Sequence, residues 1–215
     1  MKEVPPANIL EIGDQESYLS YILSRRGFNY FGNDLRGKLQ TYEETLDKAF
    51  DVVNLGSYTF YQGDFMQLKS NTQFDIIISL STIEHAGLGT YGEMIDDLDY
   101  DMKMARKIYD WLKPNGVAYI TVPYGKTMLV GRIDGFYKEH LSDKWEWRIY
   151  NSEHLQKRII QKFHVDSIEY FFSADYKHPD TGETFKQGQV VSEEVANTII
   201  QLPNLSVGLR MIKRL

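Results

Sequence analysis

Residues 74–80 read FDIIISL, an unbroken apolar run rich in β-branched residues. A strand with one wet face alternates apolar and polar side chains; this one does not. Seven residues suit a strand and are too few for a buried helix. Both faces must therefore be covered, which happens almost only in parallel sheets packed between helices. The rest of the chain has to supply those helices and the neighbouring strands.

It does so in alternation. NILEI (8–12) is a short strand that ends at Gly13. Tyr18, Leu19, Ile22 and Leu23 then recur at helical spacing, with Gly27 placed as the stop. FNYFGND (28–34) is a second strand, TYEETLDKAFDVV (41–53) a short helix, and SYTFYQGDF (57–65) a third strand. After the fourth strand, Leu98, Met102, Ala105, Ile108 and Leu112 mark a helix that LKPNG breaks. VAYITV (117–122) is a fifth strand. NSEHLQKRIIQKF (151–163) reads as a helix with Asn151 or Ser152 as N-cap. VDSIEYFF and LSVGLRMI look like two last strands. The pattern predicts a doubly wound α/β fold in one domain spanning 1–215. A polar and aromatic insertion interrupts it at about 124–150. The first strand begins near residue 8, as expected of a minimal domain or one cut from a longer chain.

Ligands in such sheets sit at the carboxyl ends of the strands. The first three strands each end near an acid: Glu11, Asp34 and Asp64. Glu16 stands where the first helix begins. A carboxylate there suits the helix dipole but repels a pyrophosphate, which argues against a dinucleotide. S-adenosylmethionine carries a sulfonium and an ammonium and no phosphate, so acidic strand ends favour it.

The order and spacing of ILEIG, FGNDLR, QGDF, FDIIISLSTIEH and WLKPNGVAYITVP resemble the class I S-adenosylmethionine-dependent methyltransferases over most of the chain. The resemblance implies a Rossmann-like sheet of seven strands, mostly parallel, whose antiparallel last strand inserts beside VDSIEYFF. It also implies that Glu11 and Gly13 line the methionine end and that Asp34, with Leu35 beside it, holds the ribose hydroxyls. Asp64 and Phe65 would meet the adenine, and Leu80 and Ser81 would close the pocket floor. The family's first loop carries three glycines; here Gln15 and Ser17 replace two of them. Either the loop shifts and Gln15 bonds the amino acid part, or affinity is low. STIEHAGLGTYGEMID is similar to a subgroup found with polysaccharide biosynthesis genes, which implies a sugar hydroxyl as acceptor on a glycan or sugar-nucleotide.

A hydroxyl acceptor gains from a base within hydrogen-bond reach. His85 has the right intrinsic pKa and place; Glu84 could orient it, and His140 is a second candidate. The bland alternative is a structural Glu-His turn. Tyr137, Trp145 and Trp147 could stack on a sugar face and Tyr124 could edge the pocket, with the insertion as a lid. Glu93, Asp96, Asp97, Asp99 and Asp101 could hold a divalent cation, but helix capping is the preferred reading and no metal is expected.

A net charge of −6 argues against broad nucleic-acid binding. With no cysteine there is no disulfide framework. No apolar stretch reaches the roughly 18 residues of a membrane span, and no signal peptide is visible, so a cytoplasmic location is expected. The leading expectation is O-methylation of a sugar hydroxyl. The alternatives are an inactive methyltransferase-like binding module, or methylation of another small molecule, RNA or protein.

Overall fold

In the computed structural model, residues 7–15, 17–37, 56–89, 91, 97–125, 129–133, 136–139, 145–178, 181–199 and 205–214 are described. The helix expected at 41–53 lies outside them, as do Glu16, Glu93, Asp96 and His140.

The first half follows the expected alternation. β1 (Asn8–Ile12) leads to helix α1 (Leu19–Arg25), then to β2 (Asn29–Asp34) and β3 (Tyr58–Gln62). β4 (Phe74–Leu80) is followed by helix α2 (Tyr100–Trp111) and β5 (Leu112–Pro123). These five strands pair in parallel in the order β3-β2-β1-β4-β5. Alternate residues of β4 serve two cores. Ile76 and Ile78 pack with Leu23 and Phe28 on one face, while Ile77 packs with Met104, Ile108 and Leu112 on the other. That division is why FDIIISL shows no periodicity.

Beyond β5 the sheet changes direction. A small antiparallel sheet, β6 (Leu129–Ile133), β7 (Phe136–Glu139) and β8 (Trp145–Arg148), forms the insertion, with β6 in the middle. It is rooted where it departs: Tyr124 and Tyr150 form a bridge, and Tyr150 N–H donates to the Pro123 carbonyl at 3.0 Å. The next helix, α3, is α-helical over Ser152–His154 and π-helical over Leu155–Ile160. Asn151 caps it, accepting from His154 N–H at 2.9 Å.

β9 (His164–Phe172) then runs to the far edge. Short pieces follow: β10 (Tyr176–Lys177), β11 (Thr184–Phe185), β12 (Val190–Val191) and helix α4 (Glu193–Thr198). The last strand, β13 (Leu205–Ile212), inserts antiparallel between β5 and β9. The main sheet has eight strands, not the seven expected, because β12 adds a two-residue edge against β9. β5 also starts earlier than expected. The KPN stretch does not end the pairing: Asn115 takes a left-handed conformation (φ 64°) and donates its N–H to the Lys213 carbonyl, absorbing the turn as an irregularity.

Candidate functional site

At the carboxyl ends of β1, β2 and β4 lies a cavity of about 590 Å³. This is within the range of about 300–1,000 Å³ in which small-molecule sites fall. Glu11, Gly13, Ser17, Asp34, Leu35, Asp64, Phe65, Leu80 and Ser81 all line it, as does His85. Nine of the ten residues expected around a cofactor are thus brought together.

Each wall has a local cause. Gly13 turns with φ 89°, and a Cβ there would sit 2.1 Å from Thr82 Oγ1. The turn after β1 therefore approaches the turn after β4 as only glycine allows. Gln15 is the expected residue that does not reach the cavity: its Nε2 donates to the Gly37 carbonyl at 3.1 Å, tying the first loop to the second. Asp34 closes an Asx turn, with Oδ1 accepting from Arg36 N–H at 2.8 Å. Asp64 caps the short 3₁₀ turn Phe65–Gln67, accepting from Met66 N–H at 2.8 Å and from the Tyr100 hydroxyl. Ser81 holds φ 46° at the end of β4, a strained backbone on the cavity floor.

The electrostatics are one-sided. Glu11, Asp34 and Asp64 face Arg36 as the lone Lys or Arg among the described lining residues. Glu11 is almost fully buried and accepts from the Tyr30 hydroxyl. Burial first, and then the neighbouring Asp14 carboxylate, push its pKa up to about 7. The same burial, with Glu11 beside it, raises the Tyr30 hydroxyl. Such a cavity favours a cation and disfavours a phosphate.

His85 ends the 3₁₀ turn Ile83–His85, its ring centroid 5.2 Å from that of Tyr91 and 6.4 Å from that of Trp147. Glu84 points the other way, into the protein. Its Oε1 lies 3.9 Å from His85 Nε2, beyond a hydrogen bond, and Oε2 has no partner among the described residues. Burial pushes the Glu84 carboxyl up to about 8, against the pull of nearby Arg148.

Two cations pin the turns that carry these residues. Lys107, from α2, donates to the carbonyls of Phe65, Met66 and Leu68 at 2.7, 3.0 and 2.8 Å. Arg148 does the same for the His85 turn, donating to the carbonyls of Glu84 and Ala86 at 3.2 and 2.7 Å.

On the acceptor side the expectations fare unevenly. Tyr124 is buried away from the cavity, its hydroxyl 2.7 Å from both Ser152 Oγ and Asn197 Oδ1, so it anchors the chain and does not edge a pocket. Trp147 lies beside His85. Tyr137 is in β7 and Trp145 opens β8, but their side chains fall outside the described part, and His140 lies outside it altogether. Among the described residues no cluster of three or more His, Asp or Glu could hold a metal. Asp97 pairs with Lys103 at 2.5 Å, and Asp101 is buried against Arg158 at 2.6 Å. No described helix is long and apolar enough to cross a membrane.

Sequence reading missed Tyr30, Arg36, Tyr91, Tyr100, Lys107 and Arg148. Arg36 had a signal: an arginine two residues after Asp34, before Gly37, marks the Asx turn.

A family described as "Caenorhabditis protein of unknown function, DUF268" matches residues 37–140. No curated protein matches the sequence. Solved structures do resemble the fold. A SAM-dependent methyltransferase from Methanosarcina mazei superposes with a TM-score of 0.61 at 14% identity, over 97% of this chain and 93% of the other. One from Clostridium acetobutylicum gives 0.56 at 14%, over 97% and 85%. The Burkholderia thailandensis 1,6-didemethyltoxoflavin-N1-methyltransferase, solved with bound 1,6-didemethyltoxoflavin and S-adenosylhomocysteine, gives 0.59 at 14%, over 97% and 72%. The fold is the Rossmann-like methyltransferase fold. Its mostly parallel sheet, with antiparallel β13 inserted beside β5, carries the cavity at the strand ends where ligands of such sheets bind.

Proposed function

We propose that this protein is an S-adenosylmethionine-dependent methyltransferase whose acceptor is a hydroxyl, in the first instance that of a sugar on a glycan or sugar-nucleotide. The observation that carries the reading is the convergence of Glu11, Asp34 and Asp64 on one cavity in which Arg36 is the one Lys or Arg among the described lining residues. That donor set fits a cationic, phosphate-free nucleoside and opposes a dinucleotide.

When bound, the cofactor supplies an electrophilic methyl group on a sulfonium centre. Glu11 would hold the ammonium end, and Asp34 would offer the ribose hydroxyls Oδ2, since its bonds to Arg36 use Oδ1. Asp64, fixed by Tyr100 and Met66, would meet the adenine amino group with Phe65 beside the ring. His85 is the cavity's candidate base, taking the hydroxyl proton as the acceptor oxygen attacks. Because the donor is already activated, most of the rate comes from holding the reactants in place. The STIEHAGLG stretch and the aromatic rings of Tyr91 and Trp147 beside His85 support a sugar acceptor.

The test has two stages. Calorimetry with S-adenosylhomocysteine comes first; absence of heat at millimolar ligand would favour an inactive binding module. An acceptor screen with cofactor, read by mass for the gain of one CH₂, follows. His85→Ala should lower turnover by about 100-fold or more while leaving cofactor affinity unchanged. Near-normal turnover removes His85 as the base, and a product methylated on nitrogen removes the hydroxyl acceptor. Methylated RNA or protein would remove the sugar.

A further inference from the structure

The insertion was expected to be a lid, but its last strand ends in a bolt. Arg148 is fully buried, which is rare for a charged side chain without a dedicated carboxylate. Among the described residues Asp101 is the nearest acid, 3.7 Å from Arg148 Nε, but its oxygens are taken by Arg158 at 2.8 and 2.6 Å and by the Tyr150 hydroxyl at 2.9 Å. The Arg148 guanidinium turns instead to main-chain carbonyls. Nη1 donates to those of Glu84 and Ala86, one on each side of His85. Nη2 donates to that of Leu98 at 3.1 Å and, more weakly, to that of Asp97 at 3.4 Å, where the chain enters α2.

The position of these bonds is informative. A 3₁₀ turn of three residues has few bonds of its own to define it. His85 therefore owes its place to whatever grips the carbonyls around it. Trp147, the preceding residue of β8, sets its ring beside the imidazole. The Leu98 carbonyl also leads toward Tyr100, whose hydroxyl holds Asp64. One guanidinium thus ties the insertion, the His85 turn and the start of α2 into a single unit.

The geometry points to Arg148 as the positioning residue of the site: it fixes the His85 imidazole at the acceptor side of the cavity by clamping the carbonyls of Glu84 and Ala86. This rests on the methyltransferase reading for its chemical meaning, but the placement of His85 can be measured without any acceptor. Arg148 touches no reactant and acts only through the turn.

The experiment compares Arg148→Met, Arg148→Lys and the natural chain. Methionine keeps the apolar stem and removes every donor. Lysine restores a buried cation with donors for the Glu84 and Ala86 carbonyls but lacks the planar fork that also reaches Leu98. In histidine-labelled protein, the His85 ring signal, assigned with His85→Gln, should move and broaden in the methionine variant. The signals of His154, His164 and His178 should stay put. Affinity for S-adenosylhomocysteine should change by no more than about threefold, because Arg148 bonds to none of Glu11, Asp34 and Asp64 and reaches Asp64 only at second hand, through Leu98 and Tyr100. With an acceptor in hand, kcat should fall by about 100-fold, in line with the cost of an ångström-scale misplacement, with KM nearly constant. The lysine variant should recover part of both the signal position and kcat, and it keeps the test open if the methionine variant fails to fold. An unmoved His85 signal in the variants overturns the proposal. So does a loss of cofactor affinity as large as the loss of kcat, which would make Arg148 a general support. Failure of the natural chain to bind S-adenosylhomocysteine would sink the methyltransferase reading and leave the ring measurement standing.

Discussion

On the proposed reading Glu11 makes cofactor affinity a function of pH, and the size of the effect follows from its surroundings. Its carboxyl is buried beside Asp14, which pushes its pKa from an ordinary 4.5 up to about 7. A cationic ligand needs the ionised form. At pH 6 about one molecule in eleven is ionised, and at pH 7.5 about three in four, so the apparent Kd should tighten about eightfold across that interval. The same shift bears on stability with a definite sign. The unfolded chain loses this proton near pH 4.5 and the unliganded fold holds it until about 7. Stability therefore falls as pH rises between those values, by about 3 kcal/mol in all. Glu84, pushed up to about 8, adds a loss of the same sign between 4.5 and 8. The two overlap in a melting curve, which makes ligand affinity the cleaner observable. Calorimetry with S-adenosylhomocysteine, which keeps the ammonium, should be run below the titration of the ligand's own amine. In buffers of different ionisation enthalpy it should also show about half a proton released per ligand bound at pH 7. Glu11→Gln should bind more weakly at pH 7.5 and with little pH dependence. A natural chain whose Kd is flat from pH 6 to 7.5, or a glutamine variant that keeps the slope, would refute the assignment of Glu11 to the cationic end.

Two further outcomes test the scaffold. Gly13→Ala forces an L residue into φ 89° and drives a methyl to 2.1 Å from Thr82 Oγ1; urea denaturation should show a loss of about 2–4 kcal/mol. Adding Thr82→Ala should return the steric part and leave about 1–2 kcal/mol of backbone strain. Lys107→Met removes three bonds to the carbonyls of the Phe65–Gln67 turn while keeping the stem. Hydrogen exchange at Met66 to Leu68 should accelerate, and stability should fall by about 2 kcal/mol, partial exposure of the ammonium holding the loss down.

The fold was legible wherever one sequence signal implied one environment. FDIIISL could only be a strand covered on both faces, and its bounds in β4 are those of the run itself. The placement of the strand-end acids on one cavity was legible too, because the carboxyl ends of parallel strands open on the same side of the sheet. Legibility failed where pairing partners decide the outcome. β10, β11 and β12 have two residues each, too short for any pattern; the first two pair where Tyr176 and Phe185 stack on the Phe172 ring, and β12 pairs with β9. NSEHLQKRIIQKF has helical spacing, yet its second part takes the π form and ends at Gln161 with φ 43°. Arg148 was the hardest to foresee. In KWEWRIY it reads as one more surface charge, and nothing local says that four carbonyls from two distant segments converge on it.

The missing glycines of the first loop have a physical resolution. A loop that lets backbone approach a ligand needs glycine where φ is positive or where a Cβ would collide. Gly13 meets both conditions. Gln15 is not among the residues with positive φ, so its backbone asks for no glycine. Its side chain leaves the cavity for the Gly37 carbonyl, so its bulk is spent on joining the two loops and not on obstructing a ligand. Ser17 stays at the wall, where its hydroxyl helps hold the Glu11 carboxylate. The loop thus exchanges backbone permissiveness for side-chain bracing. The exchange is tolerable only for a ligand that asks for no phosphate-cradling N–H groups at this turn. The same substitutions that look like damage to a nucleotide loop are consistent with a rigid, acid-lined socket for a cation, and this is the property that the pH dependence of Glu11 measures.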